Sequence, residues 1–216
     1  MTCLVGLLFG LLQGLRHAFE PDHVVAVSTL ISEQRSARMR VAYAAAWGMG
    51  HAGMLVLVGG VLMFLRAELP PRLGAAFELA VSLMLIGLGL RALRTAAREA
   101  TASSAEVAHV RLKREWRGIG PLAMGMVHGL AGSGALTALV VARLPSPAAG
   151  LVFMLVFGAG ATLGMSLLAG AAGVPLSRVI RTRWGIPALL GATGSVSLLL
   201  GIAWLLPAVN GVAVAP

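Results

Sequence analysis

The sequence predicts an all-α, polytopic membrane protein with six transmembrane helices in a 3+3 inverted repeat, the first helix broken near Pro21. Three observations lead there. The 216 residues are 58% hydrophobic and 12% charged, with a mean hydropathy of +0.88, whereas a soluble domain is roughly a quarter charged. At ~20 residues per span, this length accommodates six helices and short connections, so a single transmembrane domain over residues 1–216 is expected. Finally, glycine-rich stretches of the first half recur in the second.

The first span covers about Cys3 to Ile31. Its leading apolar run, Leu4 to Leu15, has no basic n-region and no small-residue cleavage pattern, so it reads as a span and not as a signal peptide. The middle of the span carries Arg16-His17-Ala18-Phe19-Glu20-Pro21-Asp22-His23. Each ionisable group at hydrocarbon depth costs at least ~2.5 kcal/mol, so a cluster this dense is expected to be paired, interior or engaged with an ion. Pro21 lacks an amide hydrogen and its ring would clash with the His17 carbonyl, which predicts a break. On an unbroken helix, at about 100° per residue, His17, Asp22 and His23 would splay apart. A break allows them to converge, and irregular backbone is tolerated at membrane depth where it lines a cavity.

A polar connection, Ser32 to Arg40, leads to the second span, about Val41 to Leu65, with Trp47-Gly48-Met49-Gly50-His51-Ala52-Gly53. Gly48, Ala52 and Gly53 are expected to admit a neighbouring helix beside His51. Pro70 and Pro71 mark a turn before the third span, about Ala75 to Leu93, where Glu78 is expected in the first turn, favoured by the helix dipole. Residues 94–117 read as a long loop, either irregular or carrying an amphipathic helix on the membrane surface. The fourth span, Gly118 to Val141, contains His128. The fifth, about Ala148 to Ala172, contains Phe157-Gly158-Ala159-Gly160-Ala161, and the sixth covers Ile186 to Val209.

The net charge of +9 reflects topology, because thirteen of the seventeen Lys and Arg fall after the first, third and fifth spans, against three after the second and fourth. A nucleic-acid partner is therefore not expected. The positive-inside rule places both termini outside and loops 32–40, 94–117 and 173–185 in the cytoplasm, for a multi-pass protein of the cytoplasmic membrane in contact with the lipid bilayer. The single cysteine, Cys3, excludes an intrachain disulfide and any Cys-x-x-Cys centre.

Gly10-Leu11-Leu12-Gln13-Gly14-Leu15 matches Gly125-Met126-Val127-His128-Gly129-Leu130 at an offset of 115, and Trp47-Gly48-Met49-Gly50-His51 matches Phe157-Gly158-Ala159-Gly160-Ala161 at 110. This divides the chain into repeat 1, about 1–93, and repeat 2, about 118–216. Three spans per half makes the halves inverted, a plan that puts substrate near the midplane beside broken helices.

Four of the five histidines, His17, His23, His51 and His128, lie in predicted spans. With Asp22 they form a donor set of imidazoles and carboxylate, suited to Ni, Co, Zn or Fe. The assigned ligands are His17, Asp22, His23 and His51, with Glu20 and His128 as secondary candidates, and Arg16 balances Glu20 or Glu78. No prosthetic group is expected; the metal is the transported substrate. With no Walker motif, any ATPase would be a separate chain.

Arg16 to His23 resembles the Arg-His-Ala signature with His-x4-Asp-His of the nickel/cobalt permease family, and Gly50-His51 resembles the Gly-His motif of that family's next span. The resemblance implies transport of Ni2+ or Co2+, with the first motif required for it. This chain has Glu20-Pro21 where the family usually has Asp-Ala, Ala52 where it has Ser, and six spans where eight are usual. His128-Gly129-Leu130-Ala131-Gly132-Ser133 is similar to a stretch of small permease relatives that include urease-accessory membrane proteins, which implies metallochaperones or metalloenzyme maturation proteins as partners.

Three other readings stand beside transport. A membrane accessory protein would bind metal for urease or hydrogenase maturation. An intramembrane serine protease would use Ser133, although the sequence reads Ala131-Gly132-Ser133-Gly134 and not Gly-x-Ser-Gly. A bis-histidine haem protein would be coloured. Transport by a non-enzymatic permease is the expectation.

Overall fold

A computed structural model describes residues 2–32, 36–65, 67, 69–101, 119–129, 146–179 and 184–214. They contain seven α-helices: α1 (Thr2–His17), α2 (Pro21–Ser32), α3 (Ala37–Leu65), α4 (Pro71–Thr101), α5 (Ile119–Gly129), α6 (Pro147–Val179) and α7 (Gly185–Val214). Four stretches, Ala37–Leu65, Pro71–Thr101, Pro147–Ala172 and Gly185–Ala213, are long and apolar enough to cross a membrane. His109, Ser133, residues 102–117 of the expected loop and residues 130–141 of the expected fourth span lie outside the described residues.

Helix starts follow local chemistry. Ser36 caps α3, its Oγ accepting from the Met39 amide at 3.1 Å, and Ser146 caps α6 through the Ala149 amide at 3.2 Å. Pro71 and Pro147 occupy first helical positions, where a missing amide hydrogen costs nothing. Helix α3 consequently begins before Arg40, which is buried inside it and not in a polar connection. Because α4 starts at Pro71, Glu78 sits two turns in, exposed, and not in the first turn. The same helix continues to Thr101, so residues 94–101 are helix and not loop: Ala92 and Ala96 pack with Ile186 and Leu190 of α7, and burial there keeps the chain helical.

The break expected near Pro21 falls at residues 18–20, between α1 and α2. The Phe19 and Glu20 amides bond the carbonyls of Arg16 and His17, both at 3.0 Å, tightening the end of α1. Pro21 then opens α2 as its first residue, and Asp22 sits in the first turn, favoured by the helix dipole.

Small residues set the helix contacts. A Cβ at Gly14 would overlap the Phe157 carbonyl, one at Gly48 would crowd Thr162, and one at Gly50 would overlap the Leu122 carbonyl. Gly53, expected to admit a neighbour, has open space instead. The contacts come in reciprocal pairs. Gly14 meets Phe157 as Gly125 meets Trp47; Gly160 meets Leu11 and Leu15 as Gly50 meets Leu122 and Met126; Gly48 meets Thr162 as Gly158 meets Ala52. In the other seam, Gly89 meets Gly194 and Leu198 as Gly201 meets Ser82 and Ile86. These pairings relate α1 to α5 at an offset of 111, α3 to α6 at 110 and α4 to α7 at 112. The expected offset of 115 between the first and fourth spans is thus one helical turn too long.

The register also fixes direction. Residues 10 and 14 meet 153 and 157, so α1 and α6 are parallel; residues 47 and 51 meet 125 and 129, so α3 and α5 are parallel. Residues 48 and 52 meet 162 and 158, so α3 and α6 are antiparallel, as are α4 and α7. Helices α1, α3 and α4 therefore run opposite to α5, α6 and α7 respectively.

Candidate metal centre

His17 ends α1, and Asp22 and His23 follow two and three positions into the sequence of α2 from its Pro21 start. The break between the helices turns all three inward. His51 comes from the middle of α3 and His128 from the end of α5, where Gly129 lies against the His51 backbone. His17, Asp22, His23, His51 and His128 are all buried, none more than 6% exposed. The ring of His23 lies at the centre, 4.3 Å from that of His17, 4.2 Å from His128 and 5.1 Å from His51.

Two triads could each hold a cation: His17, His23 and His51, and Asp22, His23 and His128. Within each, the donor atoms lie within 4.8 Å of one another. Carboxylates orient the outer imidazoles. Glu20 Oε2 is 2.9 Å from His17 Nδ1, and Asp22 Oδ2 is 2.8 Å from His128 Nε2. A proton shared in each contact leaves His17 Nε2 and His128 Nδ1 with lone pairs available, as in carboxylate–histidine–metal arrangements. Asp22 Oδ1 is 3.2 Å from His23 Nδ1, close enough for charge attraction but without hydrogen-bond geometry.

Six buried imidazole nitrogens have no hydrogen-bond partner among the described residues: His17 Nε2, both nitrogens of His23, both of His51 and His128 Nδ1. Leaving a buried polar atom unpaired costs roughly 1–3 kcal/mol, so six in one cluster is far from a folding optimum. Buried imidazole and carboxylate donors suit a borderline divalent transition metal.

The chain is similar to the urease accessory protein UreH of Bacillus sp. (strain TB-90). The two are 29% identical over 206 residues, covering 91% of this chain and 88% of that protein. Similarity extends to two chloroplast proteins of Arabidopsis thaliana, FOR GROWTH AND FERTILITY 2 (28% identical over 163 residues) and FOR GROWTH AND FERTILITY 1 (27% over 169). Each match covers 72% of this chain, which spans less than half of either plant protein, at 44% and 46%. No protein-family model matches the chain, and no solved structure matches it significantly.

Every sequence-assigned residue except Glu20 is buried in the cluster; Glu20, with a side chain 38% exposed, stands at its edge. Glu20 pairs with His17, and Arg16, expected to balance a carboxylate, is exposed. His128, a secondary candidate from sequence, is as deeply buried as His23. At the offset of 111 it is the counterpart of His17, and the signal was present: Gly14-Leu15-Arg16-His17 and Gly125-Met126-Val127-His128 both read Gly-x-x-His. Two aromatic residues outside the sequence-assigned set stand beside the cluster. Phe157 lies 5.3 Å from the ring of His17, and Trp47 lies 5.5 Å from that of His128.

Proposed function

We propose that this chain is a membrane permease of the nickel/cobalt type, moving a divalent transition-metal ion, Ni2+ or Co2+, through a site built from His17, Asp22, His23, His51 and His128. The observation that carries this reading is the set of buried imidazole nitrogens, without partners among the described residues, gathered at the break between α1 and α2. A protein that only packed its histidines would pair them; one that strips water from a cation and lets it go needs donors held ready. Glu20 and Asp22 orient imidazoles and offset the ion's charge.

The architecture proposed for this activity is six spans in two inverted halves, with α1 and α2 forming the broken first span and α5 beginning the fourth. Support comes from the reciprocal contacts and opposed directions of α1 with α5, α3 with α6 and α4 with α7. The charge distribution supports both termini outside, in a cytoplasmic membrane. A second reading is favoured by one relative: UreH is called a urease accessory protein, which supports a role in supplying metal to a maturation partner.

Uptake of radioactive nickel into proteoliposomes containing the purified chain tests the proposal. Saturable uptake lost in His23→Gln is the expected result. Tight binding without uptake would replace the permease by the accessory reading.

A further inference from the structure

Building on the permease reading, we propose that the cluster offers its cation two alternative positions that share His23, and that transport is the transfer of one ion between them. The first position is the triad of His17, His23 and His51; the second is Asp22, His23 and His128.

Three observations carry this. His23 belongs to both triads and its ring lies almost midway, 4.3 Å from His17 and 4.2 Å from His128, whereas His51 and His128 stand 6.2 Å apart. The donor atoms lie within 4.8 Å of one another inside each triad, and the two triads stand as separate groups, so one ion at metal–nitrogen lengths of about 2.0–2.1 Å engages one triad at a time and can keep His23 while exchanging the other donors. The outer ligands are also repeat counterparts, each with an aromatic neighbour: Phe157 beside His17, Trp47 beside His128, and Phe157 and Trp47 are themselves counterparts at 110. In an inverted repeat such counterparts face opposite sides of the membrane, so each outer histidine, screened by its aromatic ring, serves one side.

The third observation is charge. The first triad is all imidazole, with Glu20 half-buried beside His17 at the edge of the cluster; the second includes the Asp22 carboxylate. A divalent ion is held more weakly by the first than by the second, which gives the transfer a direction in the absence of other forces. Two divalent ions sharing one imidazole would repel strongly in a medium of low dielectric constant, so only one position fills at a time. The transfer exchanges metal–ligand bonds only: His17 Nε2 and His51 release as Asp22 and His128 engage, His23 stays bound, and the ion remains divalent.

The test uses the full chain in detergent, titrated with Co2+ and followed by its visible ligand-field absorption, together with nickel uptake in proteoliposomes. Wild type is expected to bind one equivalent of cobalt. His17→Gln and His128→Gln should each still bind one equivalent, with different spectra, because one triad survives, yet neither should take up nickel. His23→Gln should bind none. Parallel variants His17→Asp and His128→Asp, which keep a donor, should recover uptake in part, separating loss of a ligand from misfolding. Two equivalents in wild type, loss of binding in both single Gln variants, uptake by either of them at the wild-type rate, or no recovery in either Asp variant would overturn the two-position scheme while wild-type uptake leaves the permease reading intact. Wild-type protein that binds cobalt and takes up no nickel would overturn the permease reading, and the transfer with it.

Discussion

The α4–α7 seam and the histidine cluster are both buried and both contain polar side chains, but they treat them in opposite ways. In the seam, every one of four hydroxyls has an acceptor: Ser82 donates to the Glu78 carbonyl at 2.9 Å, Thr95 to Arg91 at 2.8 Å, Thr193 to Leu189 at 2.9 Å and Ser197 across the seam to Leu85 at 2.8 Å. In the cluster, six imidazole nitrogens have none among the described residues. The four seam hydroxyls are satisfied, whereas the cluster leaves these imidazole nitrogens, and Trp47 Nε1 beside them, without a partner among the described residues. On the permease reading, the unpaired nitrogens at the helix break are the donors that a cation would occupy.

The largest expected effect is on the cluster's chemistry. If the unpaired nitrogens exist for a cation, His23→Gln abolishes nickel uptake and removes the stabilisation that Ni2+ gives by binding the folded state, about 2.7 kcal/mol at a hundredfold excess over Kd. Thermal unfolding with and without Ni2+ measures this. A Ni2+-dependent rise in Tm that survives His23→Gln would erase the contrast between the two regions.

Next comes the close packing that holds the cluster together. Gly125 meets the Trp47 backbone so closely that any Cβ overlaps it. Gly125→Leu is expected to cost about 3 kcal/mol or more, as for severe overpacking, and to separate His128 from His23. Gly87, with nothing near its Cβ position, is the control: Gly87→Ala should leave stability unchanged or slightly raised. Comparable destabilisation of the two variants in detergent unfolding curves would mean that the contact is not what positions the site.

Much of this was legible in the residues. Pro21 announced the break, because a missing amide hydrogen and a ring clash are local facts. The density of His17, Asp22 and His23 announced a buried cluster, because charge at membrane depth is costly. Helix ends were less legible: α4 runs to Thr101 because Ala92 and Ala96 are buried on α7, a tertiary contact that arginine-rich sequence hides. The register between α1 and α5 was hidden, since glycines spaced by four favour the other one: Gly10 and Gly14 fall on Gly125 and Gly129 at 115, whereas at 111 only Gly14 falls on a glycine, Gly125. Only the backbone contacts of Gly14 and Gly125 choose between them, and that choice brings His128 level with His17.

A smaller effect of opposite sign follows for His51. Both of its nitrogens are buried without partners among the described residues, so His51→Leu removes two desolvated polar atoms at similar volume. Metal-free protein should become more stable by about 1–3 kcal/mol, the usual penalty of an unpaired buried group, while one equivalent of cobalt still binds through Asp22, His23 and His128, with an altered spectrum. Chemical unfolding in the presence of a chelator reads the first change, and cobalt titration the second. Destabilisation of the metal-free variant would show that the His51 imidazole is satisfied in solution, and the cluster would then resemble the seam.

The smallest effect belongs to the seam itself. Ser197 lies fully buried on α7 and its hydroxyl reaches the Leu85 carbonyl of α4, and the two residues are counterparts at the offset of 112. Hydrogen bonds between membrane helices contribute about 0.6 kcal/mol on average, because the separated helices find other partners in the bilayer. Ser197→Ala also leaves the Leu85 carbonyl with its own helix as a source of donors, so no buried group is stranded. Stability should fall by about that amount, with nickel uptake and cobalt binding unchanged. The two single substitutions of buried polar residues thus move metal-free stability in opposite directions, down at Ser197 and up at His51. If Ser197→Ala instead altered cobalt binding, the seam would be coupled to the site, and the division of the molecule into a satisfied scaffold and a poised cluster would fail.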